Sequence, residues 1–141
     1  MQYKMDFRRR SEEEYIKDNG MFIDYDEIAR KGKMSKEEAL ISKWYGVYQS
    51  RQAGDHMARI VVPGGKVNTA QARVVAEASR KYSYGLISIT TRQALQLHFL
   101  QLGILPNFMR ELATVGLTTF HGCGDVTRPI AACPLAEACK Y

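Results

Sequence analysis

The sequence predicts an α+β domain, an antiparallel sheet carrying its helices on one face. Three observations carry this expectation. The stretches 57–62 and 94–100 are β-branched or alternate cleanly between apolar and polar residues. Two amphipathic stretches, one opening at Asn68 and one at Pro106, lie between strand-like segments and begin with helix-start signals. Glycine and proline stand at the ends of these periods and do not interrupt them. A chain of 141 residues with 45% hydrophobic and 25% charged residues has the composition of one ordinary globular domain.

Residues 1 to about 33 are mixed in charge and weakly periodic. They read as an arm with one short helix near Tyr25–Arg30, which must dock on something or stay mobile. Ser35 and Glu38 form a capping-box pattern, and the helix they open runs through Ala39, Leu40, Lys43 and Trp44 to a stop at Gly46. Met57 to Val62 reads as a strand ended by Pro63, Gly64 and Gly65. Asn68 and Gln71 repeat the capping box, and Val74, Val75, Ala78 and Tyr82 share one face of the helix that follows, closed by Gly85. Leu86–Thr90 and Ala94–Leu100 are the next two strands. Pro106 suits the first turn of a second helix, along which Leu105, Phe108, Met109, Leu112 and Val115 form the apolar stripe before Gly116 stops it. Leu117–Phe120 is expected to be the last strand.

The order is strand, helix, strand, strand, helix, strand, the ferredoxin-like split βαββαβ pattern. Ala58, Ile60, Val62, Ile87, Ile89, Leu95, Leu97 and Phe99 are expected to face the helices. Met57, Arg59, Ser88, Thr90, Gln96 and His98 are expected on the opposite face, a mixed polar surface with one guanidinium near its middle. That face is where a ligand or a second domain would sit.

No apolar run approaches the roughly 20 residues needed to cross a bilayer. The basic run Arg8, Arg9, Arg10 has no apolar segment behind it, so the expectation is a cytoplasmic chain without a membrane partner. Cys123, Cys133 and Cys139 are the three cysteines. An odd number crowded at one end is a poor disulfide framework, and it is one short of a four-cysteine iron–sulfur site. The net charge of +5 fits either a solvated basic surface or an anionic ligand or partner.

Four local features stand out. They are Gln52-Ala53-Gly54-Asp55-His56-Met57-Ala58-Arg59 with Pro63-Gly64-Gly65, then Thr90-Thr91-Arg92-Gln93, then Cys123-Gly124-Asp125-Val126-Thr127-Arg128, and last Cys133-Pro134-Leu135-Ala136 with Cys139 beyond. Singly, each has an ordinary explanation: an ion-paired strand arginine, a polar hairpin, a glycine turn, two buried thiols. Together, in this order and spacing, they resemble the nitrite/sulfite reductases that use sirohaem and a 4Fe-4S cluster. The resemblance runs from about Lys43-Trp44-Tyr45-Gly46-Val47-Tyr48 to Ala136.

The resemblance implies an organisation. Residues 1–48 would be an arm and helix, 49–120 a ferredoxin-like half domain, and 121–141 the truncated start of the sirohaem and cluster domain. It implies reduction of nitrite to ammonia or sulfite to sulfide by six electrons, delivered by a donor such as ferredoxin or a flavoprotein. Arg59 and Arg128 would meet the anionic substrate. Thr91, Arg92 and Gln93, and more weakly Arg51, would hold carboxylates of sirohaem, which arginine binds in a bidentate fork. Cys133 and Cys139 match a Cys-x5-Cys pair that ligates the cluster in shorter family members, although longer members carry Cys-Pro-Leu-Ala without metal. Pro129 departs from the asparagine that many members place after the arginine. Cut off before the remaining ligands, the chain alone is expected to bind neither cofactor, to be inactive, and to self-associate as a homodimer through the surface that pairs with the remainder of the reductase. The alternatives are a non-catalytic regulatory or scaffold domain derived from a reductase, and a nucleic-acid-binding module of the same topology. The latter is disfavoured because the expected open face lacks aromatic residues at strand centres.

Overall fold

A computed structural model describes residues 11–51, 53–122, 129–133, 135, 136, 138 and 139. The basic run at 8–10, Gln52, and the stretch 123–128 with Cys123 and Arg128 lie outside the described residues.

Three helices precede the sheet. The first, α1 (Glu12–Asp18), was not expected, yet it carries a full capping box between Ser11 and Glu14. The second, α2 (Tyr25–Lys31), is the short arm helix, capped by Asp24 and ended by Gly32 in the left-handed conformation. The third, α3 (Lys36–Trp44), shows both halves of the predicted box. The Ser35 amide donates to Glu38 Oε2 at 2.6 Å, and the Glu38 amide donates to Ser35 Oγ at 3.1 Å.

The arm docks. Ile16, Ile23, Tyr25 and Ile28 are buried in the same apolar cluster as Ile60, Leu97 and Phe108. Tyr45 donates its hydroxyl to the Met21 carbonyl at 3.0 Å, and Arg110 clasps both carboxylate oxygens of Asp26 at 2.6 Å. Tyr25 reaches the Ser42 hydroxyl at 3.1 Å, which in turn donates to the Val47 carbonyl at 3.2 Å. Burial pushes the Tyr25 hydroxyl pKa up, so it stays a neutral partner at physiological pH.

The sheet has four strands in the order β1-β2-β4-β3, all antiparallel: β1 (Val47–Gln49), β2 (His56–Val61), β3 (Ser88–Ile89) and β4 (Ala94–Leu100). Between β2 and β3 runs α4 (Thr69–Tyr82), opened by the expected reciprocal bonds of Asn68 and Gln71. After β4 comes α5 (Leu105–Ala113), with Pro106 in its first turn. α4 packs on α5 and over β4.

Three details differ from the sequence reading. The last strand contributes a single bridge, Thr118 to Val61. The rest of that edge belongs to β1, whose residues 47–49 pair with 58–56 of β2. Because Gly46 turns the chain sharply back after α3, β1 fills the half of the edge that the last strand would have used.

The second difference is a bulge in β4. The register moves from His56↔Leu100 to Ala58↔Leu97, leaving one extra residue, Phe99, at φ +62°. Phe99 therefore turns away from the core to meet Tyr84 edge-on at 5.7 Å, and Leu100 takes the fully buried place. Third, Ile89 lies on the helix side opposite Leu95 but is 82% exposed, and Ile87 is 37% exposed. β3 is a two-residue edge strand, and the helix layer sits over β4 beside it.

The tightest point of the fold is the crossing of residues 44–46, Arg59 and 119–122. The Arg59 amide donates to the Gly46 carbonyl at 2.9 Å, and the His121 amide to the Trp44 carbonyl at 2.8 Å. Gly46 has φ +74°, and a Cβ there would stand 2.2 Å from the Thr119 carbonyl oxygen. We therefore expect Gly46→Ala to cost about 2–4 kcal/mol, from backbone strain plus a backbone clash that no side chain can relieve. Asp26→Asn, which breaks an exposed ion pair, should cost about 1 kcal/mol or less. Urea unfolding of both variants, followed by tryptophan fluorescence of buried Trp44, measures the contrast.

Candidate functional site

Sequence features far apart in the chain converge at one end of the sheet. The hairpin between β3 and β4 is closed by the Gln93 amide donating to the Thr90 carbonyl at 3.1 Å and the Thr90 amide to the Ala94 carbonyl at 2.9 Å. Gln93 takes φ +54°, so this is a three-residue loop with its last residue left-handed. Thr91 and Arg92 stand exposed at its tip.

Gln93 itself is engaged. Its Nε2 donates to the Ala132 carbonyl at 2.5 Å, and its Oε1 accepts from the Ala132 amide at 2.8 Å. The side-chain amide thus imitates a strand partner and holds residues 130–133 against the hairpin. The Gly64 amide adds a bond to the Ile130 carbonyl at 3.2 Å. Gly65, at φ +73°, leaves the space the Gln93 side chain needs, since a Cβ would lie 3.1 Å from it. Between the 63–65 turn, the hairpin and this segment lies a groove of about 710 Å³, also lined by Ile89, Cys133 and Ala136.

Arg59 lies on the other face of the sheet, where β2 places it opposite Gln96 of β4. Its Nη1 donates to the Gly122 carbonyl at 2.9 Å. With the Gln96 amide in its consistent orientation, Oε1 accepts from Arg59 Nη2 at 2.7 Å and Nε at 2.9 Å. The Tyr48 ring stands 5.6 Å from the guanidinium carbon, within cation–π reach. A guanidinium has five N–H groups, so among the described residues these partners use three and leave two. The group is anchored by these partners. His98 and Ser88 continue the same face, 3.4 Å apart.

The sequence reading missed Tyr48 as a member of this face. Its register opposite Met57 puts it there, and its signal was a three-residue strand too short for any period to reveal. The expectation of a face without aromatics at strand centres is corrected accordingly, since Tyr48 is the middle residue of β1. The reading also missed the Gln93–Ala132 clamp, for which no local pattern exists.

Other candidates are placed as follows. Arg51 is exposed in the turn before β2, at the end of the sheet opposite the Thr91–Arg92 tip. Six residues of β2 put the two ends about 20 Å apart. Cys133 and Cys139 are exposed free thiols on either side of a short turn. Among the described residues no three His, Cys, Asp or Glu side chains gather as for a metal ion. Arg128 lies outside the described residues.

A four-stranded antiparallel sheet with paired helices over it, and a strand arginine anchored on the open face, defines a ferredoxin-like domain. Residues 48–115 match the family described as nitrite/sulfite reductase ferredoxin-like half domain, and this stretch of the chain belongs to that family. It is 35% identical over 106 residues to the assimilatory ferredoxin-dependent nitrite reductase of Haloferax mediterranei, covering 67% of this chain and 18% of that protein. It is 39% identical over 74 residues to the sulfite reductase [NADPH] hemoprotein beta-component of Lysinibacillus sphaericus, covering 52% of this chain and 13% of that one. Among solved structures, the Mycobacterium tuberculosis NirA protein superposes with a TM-score of 0.73 at 26% identity, over 77% of this chain and 24% of that one. The chain thus spans between an eighth and a quarter of the length of these relatives.

Two measurements probe the two ends of the sheet. Gln93→Ala removes the acceptor of the Ala132 amide, so hydrogen exchange at Ala132 should quicken about tenfold while β2 exchange is unchanged. The second concerns His56, buried at the start of β2. Burial lowers its pKa, outweighing the nearby carbonyls of Leu100 and Gly54 and the charge of Asp55, which raise it. The folded chain therefore resists protonating a ring that the unfolded chain protonates near pH 6.5. Stability is whole above that pH and falls as pH drops through it. In His56→Gln the melting temperature should vary less between pH 7 and pH 5, as read by circular dichroism.

Proposed function

We propose that this chain forms the first half-domain region of a sirohaem-dependent nitrite or sulfite reductase, contributing cations to cofactor and substrate. The carrying observation is Arg59, held by Gln96 and the Gly122 carbonyl, with two N–H groups that no described residue takes up. A fixed guanidinium stabilises negative charge on a bound oxyanion without having to reorganise, which is how preorganised donors accelerate reactions. Tyr48 limits its swing from one side. Arg128 is assigned the same role.

The donor set fits a polycarboxylate. Arg92 and Thr91 are exposed hydrogen-bond donors at one loop tip, suited to carboxylates. Gln93 would act on the cofactor only by giving up Ala132; otherwise it supports the loop that carries Arg92. Arg51 would reach a carboxylate only at the far end of the sheet. Sirohaem, when bound, supplies the iron at which nitrite or sulfite is reduced by six electrons, to ammonia or sulfide. Cys133 and Cys139 can offer two thiolates to a 4Fe-4S cluster, whose other ligands would come from elsewhere in the reductase.

The donor is assigned to ferredoxin or a flavoprotein, and the compartment to the cytoplasm; no helix among the described residues is long and apolar enough to cross a membrane. The exposed edge formed by Tyr84, Leu86 and Ile89 is assigned to pairing with the remainder of the reductase, or in the isolated chain with a second copy.

The test uses the full-length reductase containing this segment. Arg59→Lys should lower nitrite or sulfite turnover about a hundredfold while the sirohaem absorbance persists. Arg92→Ala should instead lower the amount of sirohaem retained after purification. Turnover by Arg59→Lys at the parent rate would sink the assignment.

A further inference from the structure

A second groove lies away from Arg59 and the hairpin. We propose that it binds a small organic anion with an apolar body, a carboxylate, phosphate or sulfonate on a hydrocarbon or aromatic frame. It runs between α3, the edge formed by β1, and the turn at 101–103, and encloses about 820 Å³. That is within the range of about 300–1,000 Å³ typical of small-molecule sites.

Its walls combine two chemistries. Met34, Leu40, Val47 and Leu102 supply an apolar lining. Lys33, Lys36 and Lys43 stand around it, and among the described residues none of the three has an ion-pair partner. Glu12 is the one acid among the described residues lining the groove, so the lysines dominate its field. Asp55, close by, is already held by Gln101 Nε2 at 2.6 Å.

An independent observation points the same way. His56 lines this groove, only 7% exposed, and its Nδ1 is buried without a well-formed hydrogen bond among the described residues, although the Leu100 and Gly54 carbonyls lie near the ring. Buried polar atoms are nearly always satisfied, so this poorly satisfied ring nitrogen leaves a hydrogen bond that a small shift of the groove wall on ligand binding would complete. The depressed pKa keeps the ring neutral near pH 7. The positive field then comes from the lysines, while the imidazole offers a neutral polar contact. Among the described residues no carboxylate or thiol accompanies the histidine in the wall beyond Glu12, which argues for an organic anion over a metal ion.

The probe is 1-naphthalenesulfonate, titrated into the ¹⁵N-labelled 141-residue chain and followed by NMR. The expected result is saturable shifts at Met34, Leu40, Lys43 and Gly103 and at the His56 ring. The double variant Lys36→Glu/Lys43→Glu should weaken binding about tenfold. Arg73→Glu, the same charge reversal placed on α4 away from the groove, should leave it unchanged. Shifts confined to Leu86–Ile89 or to the groove beside Cys133 would overturn the proposal, as would an affinity in the double variant within twofold of the parent. Because the readout is binding to the chain alone, failure here leaves the Arg59 assignment untouched.

Discussion

The structure depends on one close approach. Where the end of α3, the middle of β2 and the 119–122 turn cross, backbone meets backbone with no room for a side chain at Gly46 or Gly122. A Cβ on Gly122 would lie 2.7 Å from the Arg59 carbonyl oxygen and 2.8 Å from that of Thr119. Glycine is used there because of what it lacks. The crossing sends β1 into the sheet, brings Tyr48 beside Arg59, and presents the Gly122 carbonyl to the guanidinium. Fold and candidate site are therefore tied at the same residues.

The arm belongs to this arrangement. A short half domain buries a limited share of its surface, and here Ile16, Ile28, Ile41 and Trp44 extend the apolar cluster beyond the sheet and its two helices. Their burial does more to hold the arm than the Asp26–Arg110 pair, which is exposed and screened. The same docking creates the lysine-rimmed groove, since its wall is shared between α3, β1 and the segment after β4. At the other end of the sheet, the Gln93 amide ties residues 130–133 to the hairpin. Loops at both ends are thus held by tertiary bonds, while the β3 edge is left apolar and open.

Much of the fold was legible because its signals are local. Ser35 with Glu38, and Asn68 with Gln71, satisfy helix-end amides within four residues, and the structure forms those bonds. The alternation in Ala94–Leu97 was read correctly until Phe99, where a left-handed residue reversed the inward and outward sides. Sequence period cannot reveal such a residue when it is not glycine. The capping box of α1 was equally local and was overlooked. Of the candidate site, the arginines and the Thr-Thr-Arg-Gln hairpin were legible as motifs. Their partners were not, because Tyr48, Gln96 and Ala132 reach them across strand pairing or a long loop.

The sequence by itself determined the helices, their caps, the hairpin and the residue types available for binding anions, since each arises from neighbours a few positions apart. The tertiary structure alone decided which residues share the edge of the sheet, that Gln96 and the Gly122 carbonyl hold Arg59, and that Ile89 faces solvent. Those outcomes depend on contacts between segments dozens of residues apart, whose geometry is set by how the chain packs and not by any local preference.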